Sequence, residues 1–139
     1  MCSSDLLIPN AVEEVLRYEP SVMSWRRKAI HDACLSGMDI PGGANLLVMI
    51  GAANRDPAVF NDPERFDIRR ANAKDHVAFG HGSHICLGAP LARLEARVVI
   101  EELTRSLPSL RLVPGQKLRY APNTSFRGPI SLEVAWDAH

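Results

Sequence analysis

Net charge, paired cysteines and long apolar runs are all missing from this sequence. Lys plus Arg number 16 and Asp plus Glu number 16, so no overall field draws the chain to nucleic acid or to an anionic membrane. Small molecules or proteins are the expected partners. The three cysteines, Cys2, Cys34 and Cys86, are odd in number and far apart, which excludes a disulfide framework and suits a reducing compartment. The expected location is the cytoplasm. After Met1 no basic segment leads into an apolar one, and no apolar run approaches the eighteen or so residues of a membrane span. Internal repeats and low-complexity segments are also absent. At 139 residues the chain has the size of one domain, able to bury roughly two thirds of its unfolded surface.

What is present reads as a mixed α+β chain with a helix on each side of an irregular middle. Pro9 suits a first helical turn, Val12, Val15 and Leu16 recur at helical spacing, and Pro20 ends the run, which predicts a helix over about residues 9–18. Residues 22–50 alternate β-like stretches with the turn signals Ser36-Gly37 and Pro41-Gly42-Gly43, predicting a small antiparallel sheet. From Asn54 to Lys74 charged residues, asparagines and two prolines surround Phe60 and Phe66, the pattern of an ordered meander or a linker. A second helix is predicted from Leu87 to about Leu107. Leu91, Leu94 and Val98, with Ala92, Ala96, Val99 and Leu103, give it two adjoining apolar faces, and Arg93, Arg97, Glu101 and Arg105 form a charged stripe. That pattern predicts a mostly buried helix with one wet edge. The tail carries Pro-Gly and Gly-Pro turns and a strand pattern in which Leu132, Val134 and Trp136 share a face.

The densest cluster of special residues is "FGHGSHICLG", residues 79–88. It is not a dinucleotide fingerprint, because Ile85 stands where the third glycine belongs. It is not a phosphatase loop, since Arg93 follows Cys86 one residue too late, nor a c-type haem attachment, which needs a second cysteine. His76, His81, His84 and Cys86 are competent zinc ligands, although four ligands within eleven residues leave little chain to wrap a tetrahedron. Cys86 could also be a small apolar core residue. Its surroundings favour a thiolate instead: it precedes the long helix, whose free N–H groups and dipole stabilise an anion. Gly80, Gly82 and Gly88 permit close approach of something flat or bulky.

The loop resembles the haem-binding loop of the cytochromes P450, whose pattern F-G-x-G-x-H/R-x-C-x-G is met by Phe79, Gly80, Gly82, His84, Cys86 and Gly88. Glu14 and Arg17 resemble the family's E-x-x-R pair, "DPERF" (residues 62–66) its meander motif, Arg27 the arginine before the first-sheet turn, and "RGPISLEV" its closing hairpin. The resemblance implies that Cys86 is the axial thiolate ligand of the iron of haem b, favouring O–O bond cleavage. It implies that Arg27 and His84 bind the haem propionates and that Phe79 packs against the ring on the cysteine side. It further implies that Glu14 and Arg17 are buried with the meander arginine, Arg65, whereas helical spacing alone places them opposite the apolar stripe as a solvated pair. On the family reading Glu13, one residue away, is expected to contribute little.

The resemblance extends over nearly the whole chain but to only the last third or so of the family's length. The long distal helix with its proton-delivering acid–alcohol pair would lie before residue 1, and neither Thr104 nor Thr124 follows an acidic residue. The expectation is therefore one partial domain, residues 1–139, of a P450 monooxygenase, catalytically incomplete alone. Alternatives are a haem-binding or haem-sensing module, and a haem-free remnant that self-associates. The family implies a small organic substrate, with pocket residues near Ser21–Trp25 and Asn123–Phe126. It also implies a ferredoxin-type donor, for which Arg93 and Arg97 are candidate contacts, and the missing region suggests a complementing chain.

Overall fold

The computed structural model describes residues 7–137, and the statements below concern those residues. Helix α1 spans Ile8–Tyr18 with Pro9 in its first turn, where a missing N–H costs no helical bond, and Pro20 follows its end. Strands β1 (Ser24–Lys28) and β4 (Asn45–Met49) pair antiparallel, with Trp25 opposite Val48. Between them β2 (Ala33–Leu35) and β3 (Met38–Ile40) form a hairpin. Its turn needs positive φ at both central residues, and Ser36 and Gly37 adopt 51° and 80°. A short helix α2, Ile50–Ala53, follows β4 directly and was not foreseen. Near the C-terminus β5 (Arg111–Leu112) pairs with β6 (Val134–Ala135), so the expected strand through Leu132 and Trp136 is shorter than its alternation suggested.

Residues 54–72 carry neither helix nor strand yet are ordered by hydrogen bonds, as a meander requires. Two buried guanidinium groups organise it. Arg17 donates to the carbonyls of Asn54, Pro63 and Arg65 at 3.0, 3.0 and 3.2 Å. Arg70 donates to those of Asn61, Asp62 and Arg65 at 2.5, 3.0 and 2.9 Å. Phe60 is buried with the Arg17 guanidinium 5.2 Å from its ring centre, while Phe66 is half-exposed, edge-on to Tyr18.

The core is unusual in that its centre is polar. Glu14, Arg17 and Asn54 have no exposed surface, and Ile8, Val12, Ile50, Phe60 and Ala73 are buried with them. Among the described residues no buried side-chain N or O lacks a hydrogen bond. The burial of Glu14 and Arg17 reverses the expectation from spacing: Val15, in the supposed inner stripe, is exposed instead. A carboxylate and a guanidinium face inward because the meander offers them carbonyl and N–H partners that a hydrophobic layer would not.

Helix α3, Ala89–Ser106, also departs from expectation. Only Ala89 is fully buried; Leu91 and Val99 are 59 % and 54 % exposed, and Leu94 and Val98 are exposed as well. Its two apolar faces suit two packing layers, and α1 supplies one of them. Among the described residues no helix is long and apolar enough to cross a membrane.

Candidate functional site

The segment from Ala78 to Cys86 wraps one side of a cavity of about 620 Å³, within the roughly 300–1,000 Å³ range of cofactor sites. Gly80 and Gly82 take φ of 77° and 78°, the left-handed region that side chains resist, and this doubles the loop back on itself. The turn is closed by the Cys86 N–H, which donates to the Phe79 carbonyl at 2.9 Å, and the Cys86 carbonyl accepts from Ala89 at 3.2 Å as α3 begins. Cys86 thus sits just before the helix, with Gly88 as its N-cap. It is exposed, not a core residue. Gly88 has an ordinary conformation, and a Cβ placed on it would come 3.8 Å from the Cys86 sulfur.

Arg27, Phe79, Gly80, His84 and Cys86 all line this cavity. They come from β1 and from the loop, more than fifty residues apart, and the fold brings them together. Arg27 donates to the Arg26 carbonyl at 2.9 Å and pairs with no carboxylate among the described residues. Trp25 and Val22 complete the wall. Behind them the tail is fastened to residues 21–24: Ser24 Oγ donates to the Thr124 carbonyl at 2.6 Å and Met23 N–H to that of Ser125 at 2.7 Å. Phe126 stands edge-on to Trp25, with ring centres 5.6 Å apart.

Glu14 and Arg17 form a two-point ion pair at 2.7 and 2.8 Å. The third member of the cluster is Arg70, not Arg65. Arg70 Nε donates to Glu14 Oε1 at 3.2 Å, and the Asp67 N–H donates to the same oxygen at 2.8 Å. Arg65 is 70 % exposed beside Asp67 and gives the cluster only its carbonyl. An irregular segment has no period, so the sequence does not reveal which of its arginines turns inward. Burial alone would raise the Glu14 pKa, but the hydrogen bonds from Arg17, Asp67 and Arg70 outweigh it and hold the carboxyl below 4.5.

A network missed by the sequence reading lies beside the loop. Glu13 on α1 accepts a two-point pair from Arg93 on α3 and a hydrogen bond from His76. Arg93 is therefore engaged with another helix, and of the two candidate donor contacts Arg97, half-exposed and paired at 3.4 Å only with Glu101 on its own helix, is the more accessible. Nor do His76, His81, His84 and Cys86 gather as a zinc site: no cluster of metal-ligating side chains occurs among the described residues. Burial pushes the His76 pKa below 6.5 despite Glu13, with Arg93 acting in the same direction as burial. The Glu13 carboxyl, which burial would raise, is held below 4.5 by Arg93 and His76.

These shifts share one sign. Below pH 6.5 an unfolded chain takes up a proton that native His76 resists, and below 4.5 it takes up protons that native Glu13 and Glu14 resist. Stability is therefore greatest above the unfolded values and declines as pH falls through the native ones. Urea midpoints measured from about pH 8 to pH 4 should be flat at first, decline below the histidine range and fall further in the carboxylate range. A His76→Gln variant should lose the first decline, and a midpoint that rose on acidification would contradict the sign.

The family model described as "Cytochrome P450" matches residues 6–123. The chain belongs to the cytochrome P450 family. It is 45 % identical over 133 residues to mycinamicin IV hydroxylase/epoxidase of Micromonospora griseorubida, covering 94 % of this chain and 33 % of that protein. It is 44 % identical over 131 residues to the biotin biosynthesis cytochrome P450 of Bacillus subtilis, with 94 % and 33 % covered. In structure it matches cytochrome P450 CREJ with a TM-score of 0.92 and 50 % identity, over 96 % of this chain and 33 % of that one. The chain thus spans about a third of the length of these P450 relatives, and its α+β architecture is the C-terminal third of the P450 fold. Haem is the cofactor that P450 membership implies. The residues fit it: an exposed thiol, an apolar wall and two side chains capable of cationic bonds line one cavity, and at Gly88 a Cβ would touch the sulfur.

Proposed function

We propose that residues 1–139 form one partial domain, the haem-binding C-terminal portion of a bacterial-type P450 monooxygenase whose complete form inserts one oxygen atom of O2 into an organic substrate. The observation that carries this reading is the convergence of exposed Cys86 with Phe79, His84 and Arg27 on one cavity. Haem b, when bound, supplies oxygen activation under the electronic push of an axial thiolate. Cys86 would be that ligand, aimed by its N–H bond to the Phe79 carbonyl. Phe79 would pack on the cysteine side of the ring, and Gly80 and Gly88 would keep the approach clear. Arg27 and His84 would hold the propionates through charge-assisted hydrogen bonds, and Trp25, braced by Phe126, would border the substrate side. Arg97 is the cation best placed to meet a ferredoxin-type donor. Exposed, unpaired Cys34 and Cys86 suit a cytoplasmic setting. Reconstituted with haem, reduced and exposed to carbon monoxide, the chain should give the red-shifted Soret band of thiolate ligation. A band at the position of free haem would overturn the reading.

These 139 residues should not oxygenate anything by themselves. A complete P450 site needs side chains that relay protons and a dry pocket. Yet Thr104 bonds back to the carbonyls of Ile100 and Glu101 within α3, and Thr124 lies in an exposed turn. The exposed apolar residues of α3, together with Leu47 and Val48 on β4, favour self-association or a complementing chain that covers them. Supplied with haem, a ferredoxin, its reductase and NADPH, the chain should consume electrons with little product and sediment as more than a monomer. Tightly coupled hydroxylation by the monomeric chain would refute this.

A further inference from the structure

Glu13, His76 and Arg93 have no role in the haem reading, yet they meet beside the cysteine loop. Arg93 donates from Nε to Glu13 Oε1 at 2.6 Å and from Nη2 to Oε2 at 3.0 Å, a two-point pairing that sets the plane of both groups. The Ala78 N–H donates to His76 Nδ1 at 3.1 Å, so the ring carries its proton on Nε2 and donates it to Glu13 Oε2, also at 3.1 Å. The His76 and Glu13 side chains are only 1 % and 16 % exposed. Arg93 is 37 % exposed, so the carboxylate is held inside the chain and the pair is only partly solvated, between a buried pair and a surface one.

All of these bonds bear on the residues leading into the loop. The Arg93 guanidinium stands 4.6 Å from the centre of the Phe79 ring, and the His76 ring lies 6.0 Å from it. The Val77 N–H is taken by Asn54 Oδ1 at 2.8 Å. The Phe79 carbonyl in turn receives the Cys86 N–H. From His76 to Phe79, every residue is tied to α1, to α3, to Asn54 or to its neighbour's ring. The last of them holds the cysteine.

We propose that Glu13, with His76 and Arg93, is a positioning clamp that sets where Phe79 stands and, through its carbonyl, how the Cys86 sulfur is presented to the cavity. The inference rests on Cys86 being the haem ligand. Hydrogen bonding and packing around a metal-bound sulfur tune its hold on the metal, and the clamp governs both from one carboxylate shared by two helices.

The test uses Glu13→Gln, which keeps the shape and removes the charge, and Arg93→Lys, which keeps the charge and removes the fork. Arg97→Lys on the same helix is the control. In the haem-free chain the Cys86 amide should exchange with solvent at least about tenfold faster in both clamp variants. The Ala29 amide, bonded to the Ala44 carbonyl at 2.9 Å beside the β1–β4 pair, should keep its rate. In the reconstituted chain, haem transfer to an excess of haem-free myoglobin should accelerate about tenfold or more, and the control should change neither rate. Equal acceleration at Cys86 and Ala29 would show only general loosening and overturn the proposal, as would an unchanged Cys86 rate or unchanged haem transfer. If the parent chain takes up no haem, the functional reading fails, whereas the amide rates still decide whether the clamp exists.

Discussion

Replacing Cys86 by serine should abolish the red-shifted Soret band of the reduced carbon monoxide complex completely, while Cys34→Ser leaves it intact. A serine hydroxyl is far less acidic than a thiol and far less polarisable, so it cannot supply the anionic sulfur whose electron donation moves the band. Cys34 lies in the β2–β3 hairpin opposite Asp39, away from the cavity that Cys86 lines. Cys2 is outside the described residues, and its substitution by serine is expected to be silent too. The loop should survive the Cys86 change, because the bond that closes it uses the backbone N–H of residue 86 and not its side chain. Loss of the band with a retained fold, shown by an unchanged urea midpoint, is therefore the expected pair of results. An unaltered band in the Cys86 variant would remove the axial ligand from the assignment.

The largest stability effect should come from Glu14. Its carboxylate meets Arg17 at 2.7 and 2.8 Å and Arg70 at 3.2 Å, with both Glu14 and Arg17 wholly buried. Glu14→Ala would leave two buried guanidinium groups without their counter-charge and should cost about 3 to 5 kcal/mol. Arg65→Ala should cost little, because that side chain is exposed and its carbonyl is retained. Arg70→Ala should resemble Glu14→Ala in direction, since it removes the donors that hold the Asn61, Asp62 and Arg65 carbonyls. Urea titrations of the three variants decide the matter. If Glu14→Ala and Arg65→Ala had equal, small effects, the cluster would not be the anchor of the meander. Where Glu14→Ala does not fold, Glu14→Gln retains the volume and should show the same order.

Several readings of the sequence rested on local chemistry and agree with the structure because local chemistry decides them. Pro9 and Pro20 bracket α1, since a proline tolerates the first turn and stops the last. Ser36-Gly37 turns the β2–β3 hairpin because both positions need positive φ. Gly80 and Gly82 double the loop back, and the residue pattern there was specific enough to indicate the family.

Other features were settled only when segments distant in sequence met. Glu13 and Glu14 are adjacent glutamates on one helix, told apart in the sequence only by the likeness of Glu14 and Arg17 to the E-x-x-R pair, which leaves Glu13 without a role. The fold delivers Arg93 and His76 to the first and Arg17, Arg70 and the Asp67 N–H to the second, so each becomes the centre of a different network. Arg65 and Arg70 are equally indistinguishable in a segment without periodicity, and the path of the meander backbone selects the one that turns inward. On α3 the apolar pattern shows how much surface can be covered, whereas burial depends on what is packed against it, and α1 covers only part. The sequence by itself therefore determined the ends of α1, the hairpin turn, the cysteine loop and the family, all matters of backbone preference and short-range pattern. The tertiary structure alone decided that Arg70 and not Arg65 turns inward, that Glu13 meets Arg93 and His76, and which residues brace Phe79. Buried charge is stable only where partners converge in space, and that convergence leaves no spacing along the chain.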